Sequence, residues 1–403
     1  MATTDYDAHV LILGGSFTGV ELVRRLRRDR RGRKLEILVV DRQRQHPYIP
    51  LCHELLTERM ATGVEQRTIL PSADYVQTRP PARWEQGEII SFDPESHTVY
   101  LDDGRSFSGR FVVVALGSEL RPPWELEGRE RLLSYKSQAE FEACKVALAK
   151  LLHGREHAPA VLVVGGGISG VEMAGELAHL ARSRPEGWAA PRVTLVHGGA
   201  RLLPALDPHA GEWAAAALRR QGVELLLETR LQSVEDGHAV IRNAAGERII
   251  PCELGLWGGG LQPPPVLEHL GLPLDPDGWL RVGPTLQCFP ETTDEPEIFA
   301  GGDVARIYGG TGRWPTMQRA IEGIFAATTM AENILELARH GDDYPEGVPP
   351  LQPHRLWDDF PHGVSAGGES LVVYGRMLAR SSRINIWFRR FLMRRYMARY
   401  SVN

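Results

Sequence analysis

Short apolar runs recur along the chain, and several of them stop at glycines. Residues 9–13 (HVLIL) lead into Gly14-Gly15-Ser16-Phe17-Thr18-Gly19, after which VELVRRL carries its apolar residues at helical spacing. This order predicts a buried strand, a tight turn and an amphipathic helix. A second run, residues 35–40 (LEILVV), ends at Asp41, 22 residues beyond Gly19. A dinucleotide-binding unit needs this arrangement. Its glycines bring the backbone against a pyrophosphate, its helix N-terminus offers unpaired N–H groups, and an acid at the end of the next strand accepts from a ribose. Ser16 holds the middle glycine position, so Gly14, Gly15, Ser16, Phe17, Gly19 and Asp41 form a first candidate cofactor site.

The pattern returns at residues 160–176, where AVLVV precedes Gly165-Gly166-Gly167-Ile168-Ser169-Gly170 and VEMAGEL. Two such units about 150 residues apart are far more specific than one. Gly165, Gly167 and Gly170 form the second candidate site. Its following strand (PRVTLVH) ends at His197, where NAD-selective domains carry a carboxylate. A histidine there, with Arg201 four residues on, removes the repulsion felt by a 2′-phosphate and supplies possible donors, so NADPH joins NADH as a candidate. The other reading of His197 is a surface residue with no nucleotide role.

Two further runs, residues 111–118 (FVVVALGS) and 297–304 (EIFAGGDV), read as strands, and the second delivers Asp303 behind two glycines. The resulting fold class is α/β, with two Rossmann-like dinucleotide-binding domains, the second inserted in the first, and a small C-terminal segment with a helix. Residues 1–122 and 251–340 make the first domain, 123–250 the second and 341–403 the terminal segment. Pro122-Pro123 and Pro251 mark the crossings, because proline interrupts regular structure.

Composition changes the picture by exclusion. The chain has 403 residues, 43% apolar and 24% charged, enough for two or three globular units. A net charge of −5 argues against a globally basic nucleic-acid binder. Cys52, Cys144, Cys252 and Cys288 are scattered without a CxxC, which fits a reducing, cytoplasmic setting and gives neither a disulfide framework nor a thioredoxin-type pair. The start lacks a basic stretch followed by an apolar one, and no run of about 18 apolar residues occurs, so neither a signal peptide nor a spanning helix is expected. HEXXH is absent and His46, His53 and His197 lie far apart, so no metal site is expected.

Charge is uneven within that total. From Leu371 to Asn403 there are eight arginines and no acid. Ile384, Trp387, Phe388, Phe391 and Leu392 share one helical face with Arg389 and Arg390 opposite, while Arg395 and Arg399 rotate into the apolar face. That pattern predicts a helix lying on an anionic membrane surface, its arginines snorkelling. The alternative is a helix packed on its own core or on a second copy in a homodimer. A second basic run, Arg24 to Lys34, reads as a solvated helix end, and joined to the tail it would face anionic headgroups.

The order GGSFTG, VVD, ALGS, GGGISGVE, WGGG and FAGGDVA resembles the two-dinucleotide-binding-domain flavoprotein family over about residues 8–340. Within it the chain is similar to type II NADH:quinone oxidoreductases and the apoptosis-inducing-factor-like ferroptosis suppressor flavoproteins. The resemblance implies FAD in the first site and NAD(P)H in the second, with hydride passing from nicotinamide C4 to flavin N5 and two electrons then to a quinone. It places Asp41 on the adenosine half of FAD, Asp303 on the ribityl or pyrophosphate portion, Gly117 along the flavin, and Gly258 beside the nicotinamide. Leu116 stands where family members carry a threonine. Glu172 matches a family glutamate near the flavin ring and is the catalytic candidate; its other reading is an acid favoured by a helix N-terminus. Around residues 317–322 the family's quinone motif reads MQRAIE, so Gln318 and Ala320 match while Met317 and Glu322 depart, and Trp314-Pro315 is expected to open the helix there.

The reading is thus an FAD-dependent NAD(P)H:quinone oxidoreductase, peripheral on the inner face of a membrane. Alternatives are a soluble ferredoxin or rubredoxin reductase-like flavoprotein and a nucleotide-sensing flavoprotein. A sulfide:quinone oxidoreductase would need a redox cysteine pair, which Cys252 and Cys288 do not supply.

Overall fold

The computed structural model describes residues 6–51, 53–54, 68–154, 156–183, 186–288, 296–308, 318–340, 347–355, 361–374, 377–380 and 384–402. The apolar runs become strands buried on both faces, as parallel sheets require. In the first domain the strand Ala8–Leu13 pairs in parallel with Ile37–Asp41 on one side and Ser106–Val114 on the other. Across the sheet the order is Ala82–Gln86, Ile37–Asp41, Ala8–Leu13, Ser106–Val114, Thr98–Leu101, Ile89–Asp93. The long strand Ser106–Val114 changes partner along its length. Its first half pairs antiparallel with Thr98–Leu101, and its last three residues pair parallel with Ile298–Ala300. Helix α1 (Phe17–Arg28) follows the first turn, and the short α2 (Ser72–Gln77) packs beside it.

In the second domain α3 (Gln138–Leu152) begins with a capping box between Ser137 and Glu140, a device that satisfies two of the amide donors orphaned at a helix start. Helix α4 (Ile168–Ser183) follows the second glycine turn, and α5 (Pro208–Arg220) is capped by Asp207 with proline at its first position. The sheet is parallel throughout, in the order Glu224–Leu226, Arg192–Val196, Ala160–Val164, Leu254–Trp257, Leu132–Leu133. An antiparallel meander covers Arg230–Glu235, His238–Asn243 and Gly246–Pro251.

This sheet corrects the expected boundary at residue 250. Leu254–Trp257 lies in its interior, and Pro251 merely ends an outer strand of the meander, where its missing N–H is tolerated. The return crossing comes at Gln262, which exchanges two backbone hydrogen bonds with Glu119, at 2.9 and 2.8 Å, on the outgoing crossing. Both passages between the domains therefore run side by side.

Helix α6 (Ala320–Arg339) returns to the first domain and packs along α1. It does not start at Trp314-Pro315 as expected. Residues 309–317 lie outside the described residues, and Gln318, with φ of 48°, is not helical. The terminal segment is a three-stranded antiparallel sheet (His362–Ala366, Glu369–Tyr374, Met377–Arg380), then α7 (Ile384–Met397) and a 3₁₀ turn, Ala398–Tyr400. The sheet rests on α4 at Gly175, where a Cβ would stand 2.6 Å from the Gly367 amide nitrogen.

Two hydrophobic cores result, one per domain. The terminal segment enters both: Val364, Leu371 and Met393 complete the second, Tyr396 and Tyr400 the first. No helix among the described residues is long and apolar enough to cross a membrane.

Candidate functional site

Each glycine turn owes its shape to contacts no side chain could make. In the first, Gly14 has φ of 104°, and a Cβ on Gly19 would stand 2.0 Å from the Gly14 carbonyl oxygen. In the second, Gly165 has φ of 111°, and a Cβ on Gly170 would stand 1.9 Å from the Gly165 oxygen. Gly258 seals this turn from behind, its carbonyl carbon and oxygen lying where a Gly165 Cβ would fall. Among the described residues nothing lies within 4 Å of where a Cβ on Gly167 would stand, nor beside Gly117, whose φ is 73°. Ser16 does not cap α1 with its side chain, so the first-turn amides keep their donors.

The strand-end residues act alike in the two sites. Asp41 Oδ2 accepts the Gly15 N–H at 2.7 Å, and His197 Nδ1 accepts the Gly166 N–H at 3.2 Å. Asp41 also accepts the Gln43 N–H at 2.8 Å and faces His46 Nε2 at 3.1 Å. Burial pushes the Asp41 carboxyl up, but His46 and the two amides outweigh it and hold it below the usual range. Two of its roughly four acceptor positions take amide N–H groups and a third faces His46, leaving room for a hydroxyl. His197 must be neutral with its proton on Nε2, because Nδ1 is an acceptor, and burial lowers its pKa in the same sense. Its Nε2 is buried and makes no close hydrogen bond among the described residues, though the Arg201 backbone lies near enough to favour its proton; a ligand oxygen would satisfy such a donor.

Arg201 departs from expectation. Its guanidinium donates to the carbonyls of Leu203, Leu206 and Pro204 at 3.2, 3.1 and 2.7 Å, so it caps its own loop instead of reaching toward a phosphate. A change of His197 to Glu should keep the Gly166 contact and add a charge. The ratio of kcat/KM for NADPH over NADH should then fall about tenfold or more, as repulsion of about 1.4 kcal/mol implies, measured by steady-state kinetics with both nucleotides. An unchanged ratio would remove His197 from the 2′ position.

Asp303 sits with Gln318, which the sequence singled out, and with Ser118 and Lys136, to which it gave no role. Ser118 Oγ donates to its Oδ2 at 2.7 Å, and Lys136 Nζ lies 2.8 Å from the same oxygen and also contacts Ser118. Burial raises the Asp303 carboxyl, and Lys136 with Ser118 more than reverses that. Gln318 Nε2 donates to the Asp303 carbonyl at 3.2 Å, so residues 118, 136, 303 and 318 form one cluster. Next to Lys136, the Tyr135 hydroxyl donates to the Ser169 carbonyl in the second turn at 3.0 Å. One dipeptide thus ties the two sites together. Trp84, also unflagged, packs its ring under Gly15, within 2.0 Å of where a Cβ would stand.

Glu172 lies apart from these clusters, toward the terminal segment. Its Oε1 is 2.8 Å from Arg389 Nη2 on α7 and accepts the Ser365 N–H at 3.1 Å; its Oε2 is 3.4 Å from His53 Nδ1. Burial drives the Glu172 carboxyl above the ordinary range, partly offset by Arg389 and the amide. The three described cysteines are free and buried, with thiols pushed up by burial, to about 12 for Cys144 and about 11 for Cys252. No described thiol is therefore poised for redox work. Cys52 lies outside the described residues.

On α7 the expected faces separate as the sequence pattern implied. Arg389 and Arg390 turn inward, to Glu172 and the Pro50 carbonyl and to Glu54, while Trp387 (64%), Phe388 (47%), Phe391 (43%) and Leu392 (44%) remain exposed.

The chain resembles known proteins over most of its length. A family model described as pyridine nucleotide-disulphide oxidoreductase matches residues 8–331. The demethylphylloquinone reductase NdbB of Synechocystis is 27% identical over 317 residues, 77% of this chain and 75% of that protein. The nitric oxide reductase FlRd-NAD(+) reductase of Salmonella arizonae is 26% identical over 304 residues, 74% and 73% of the two chains. The structure of NDH2 from Plasmodium falciparum in complex with NADH superimposes with a TM-score of 0.79, covering 96% of each chain at 12% identity, which is a likeness of fold.

Proposed function

Because the chain belongs to the pyridine nucleotide-disulphide oxidoreductase family, we propose that it is an NAD(P)H:quinone oxidoreductase working at a membrane surface. The chain is an FAD- and NAD(P)H-dependent oxidoreductase. The residues fit both cofactors: the space left beside Gly117 and Gly167 by the described residues, the uncapped start of α1 and the buried His197 Nε2 are features a bound dinucleotide would complete. FAD, when bound, supplies the two-electron chemistry of the reaction.

The chain's own part is positioning and electrostatics. Gly14, Gly15, Ser16, Phe17 and Gly19 would receive the FAD pyrophosphate, and Asp41 its ribose. Ser118, Lys136, Asp303 and Gln318, with Gly117, would line the flavin half. Gly165, Gly167, Gly170 and Gly258 would hold the nicotinamide nucleotide, with His197 Nε2 donating near its 2′ end. Glu172, its Oε1 held by Arg389 and the Ser365 amide, would present Oε2 toward His53 as the oxygen that takes up and releases a proton.

The observation that carries the acceptor assignment is the exposed aromatic face of α7, which suits an enzyme drawing a lipid-soluble substrate from a bilayer. The name of NdbB points the same way. The FlRd-NAD(+) reductase relative favours a second reading, a protein acceptor. Enzyme reduced anaerobically by NADPH, then mixed in turn with a ubiquinone analogue, a naphthoquinone, a rubredoxin and dissolved oxygen, separates them. Quinones should reoxidise it much faster than oxygen does. If no quinone outpaces oxygen and rubredoxin does, the acceptor is a protein.

A further inference from the structure

The basic run after residue 24 and the basic end of the terminal helix meet in space. Arg24, Arg25, Arg28, Arg395, Ala398 and Arg399 line a pocket of about 500 Å³. One carboxylate answers its five guanidiniums. Glu21, wholly buried, takes Arg24 through two nitrogens, Arg25 Nε at 2.7 Å and the Tyr400 hydroxyl at 2.5 Å. Arg28, Arg395 and Arg399 are exposed, and no acid among the described residues pairs with them. Two helix C-termini also converge here, but each carries only about half a negative charge, so one cation apiece would suffice. The Glu21–Tyr400 bond fixes α1 against the terminal turn, so the backbones that carry these like charges are held close together.

The outward stripe of α7 and its 3₁₀ turn gives the pocket a setting. Positions 388, 392, 395 and 399, spaced by four, three and four residues, form one line on a helix. Along it exposed Phe388 and Leu392 give way to Arg395 and Arg399, with Trp387 and Phe391 beside the apolar half. We propose that this pocket binds the phosphate of an anionic phospholipid headgroup, with the aromatic half of the stripe against the acyl region. The proposal rests on the membrane-surface reading and adds to it a defined headgroup site, where diffuse attraction would need none.

The test uses full-length holoenzyme with vesicles of phosphatidylcholine containing phosphatidylglycerol, and with phosphatidylcholine alone. Two triple variants of equal charge change accompany it: R28Q/R395Q/R399Q in the pocket, and R131Q/K150Q/R219Q on exposed positions of the second domain. The pocket variant should bind the anionic vesicles about a hundredfold more weakly, roughly fivefold per arginine held at the surface. The control should change less than about threefold, since charges farther than a screening length contribute little. In calorimetry, dihexanoyl phosphatidylglycerol below its micelle concentration should bind the unmodified protein and the control but not the pocket variant, with inorganic phosphate a poor competitor. Equal losses in both triple variants would overturn the pocket, leaving only net charge. Inorganic phosphate competing as well as the soluble lipid would overturn the lipid as its source. Should the full chain ignore anionic vesicles while the soluble lipid still binds through the three arginines, the membrane-surface reading fails and the pocket stands.

Discussion

A Gly170→Ala enzyme should purify with its flavin and yet be reduced by NADPH or NADH at least about a hundredfold more slowly, the scale expected when reacting groups are displaced by about 1 Å. A Cβ at this position would sit 1.9 Å from the Gly165 carbonyl oxygen, which is backbone and cannot swing away. Gly165 cannot yield either, because Gly258 and Gly259 fill the space behind it. The only relief is to lift α4 from the strand Ala160–Val164, and that moves the amides meant for the nucleotide. The first turn belongs to a different core, so flavin retention should survive. Anaerobic stopped-flow bleaching of the flavin band measures the rate, and the flavin-to-protein ratio checks the domain left intact. Wild-type reduction rates would show that residues 165–170 do not hold the donor.

Arg389→Met should destabilise the protein by about 3–5 kcal/mol at pH 8, the usual result of leaving one partner of a buried ion pair alone. Glu172 is 5% exposed, and without the guanidinium its partners among the described residues are the Ser365 amide and His53. The loss is capped at the free energy needed to undock the terminal segment, so exchange of the α7 amides should accelerate alongside any fall in the unfolding midpoint. The double variant Arg389→Met/Glu172→Gln should recover much of the deficit, because the orphaned charge is gone. The pH dependence has a fixed sign. Burial raises the folded-state pKa of Glu172 above its unfolded value. Its contribution is therefore fully present below the unfolded pKa and is lost as pH rises through the folded one. Removing Arg389 raises the folded value further, so the variant's deficit should shrink on going from pH 8 toward pH 5. A deficit that is constant across that range, or absent at pH 8, would mean the carboxylate does not depend on Arg389.

Both glycine turns were legible because local chemistry dictates them: a strand must stop, the backbone must reverse, and only glycine tolerates the contacts at 14, 19, 165 and 170. Asp41 and His197 were legible as strand-end positions, though their shared task of receiving the N–H of the turn's second glycine is a fact of geometry. Lys136 and Trp84 left no trace, since each acts through a partner far along the chain. Lys136 meets Asp303 across 167 residues, and nothing in its neighbours announces that. Pro251 misled for a physical reason: a proline that ends an outer strand reads the same as one that ends a domain. The α7 stripe showed which side chains avoid water, but not that the opposite arginines face acids, because Glu54 and Glu172 carry no mark of burial in the sequence.

The Tyr400–Glu21 bond spans 379 residues, and this has a bearing on biosynthesis. A nascent polypeptide emerging from the ribosome would present α1 with Glu21 held only by its neighbours Arg24 and Arg25 until residue 400 had been made, and its sheet would lack Ile298–Ala300 until about three quarters of the chain had been translated. Such late closure means high contact order, slow maturation and a long interval in which sticky surfaces are open to chaperones or to misassembly.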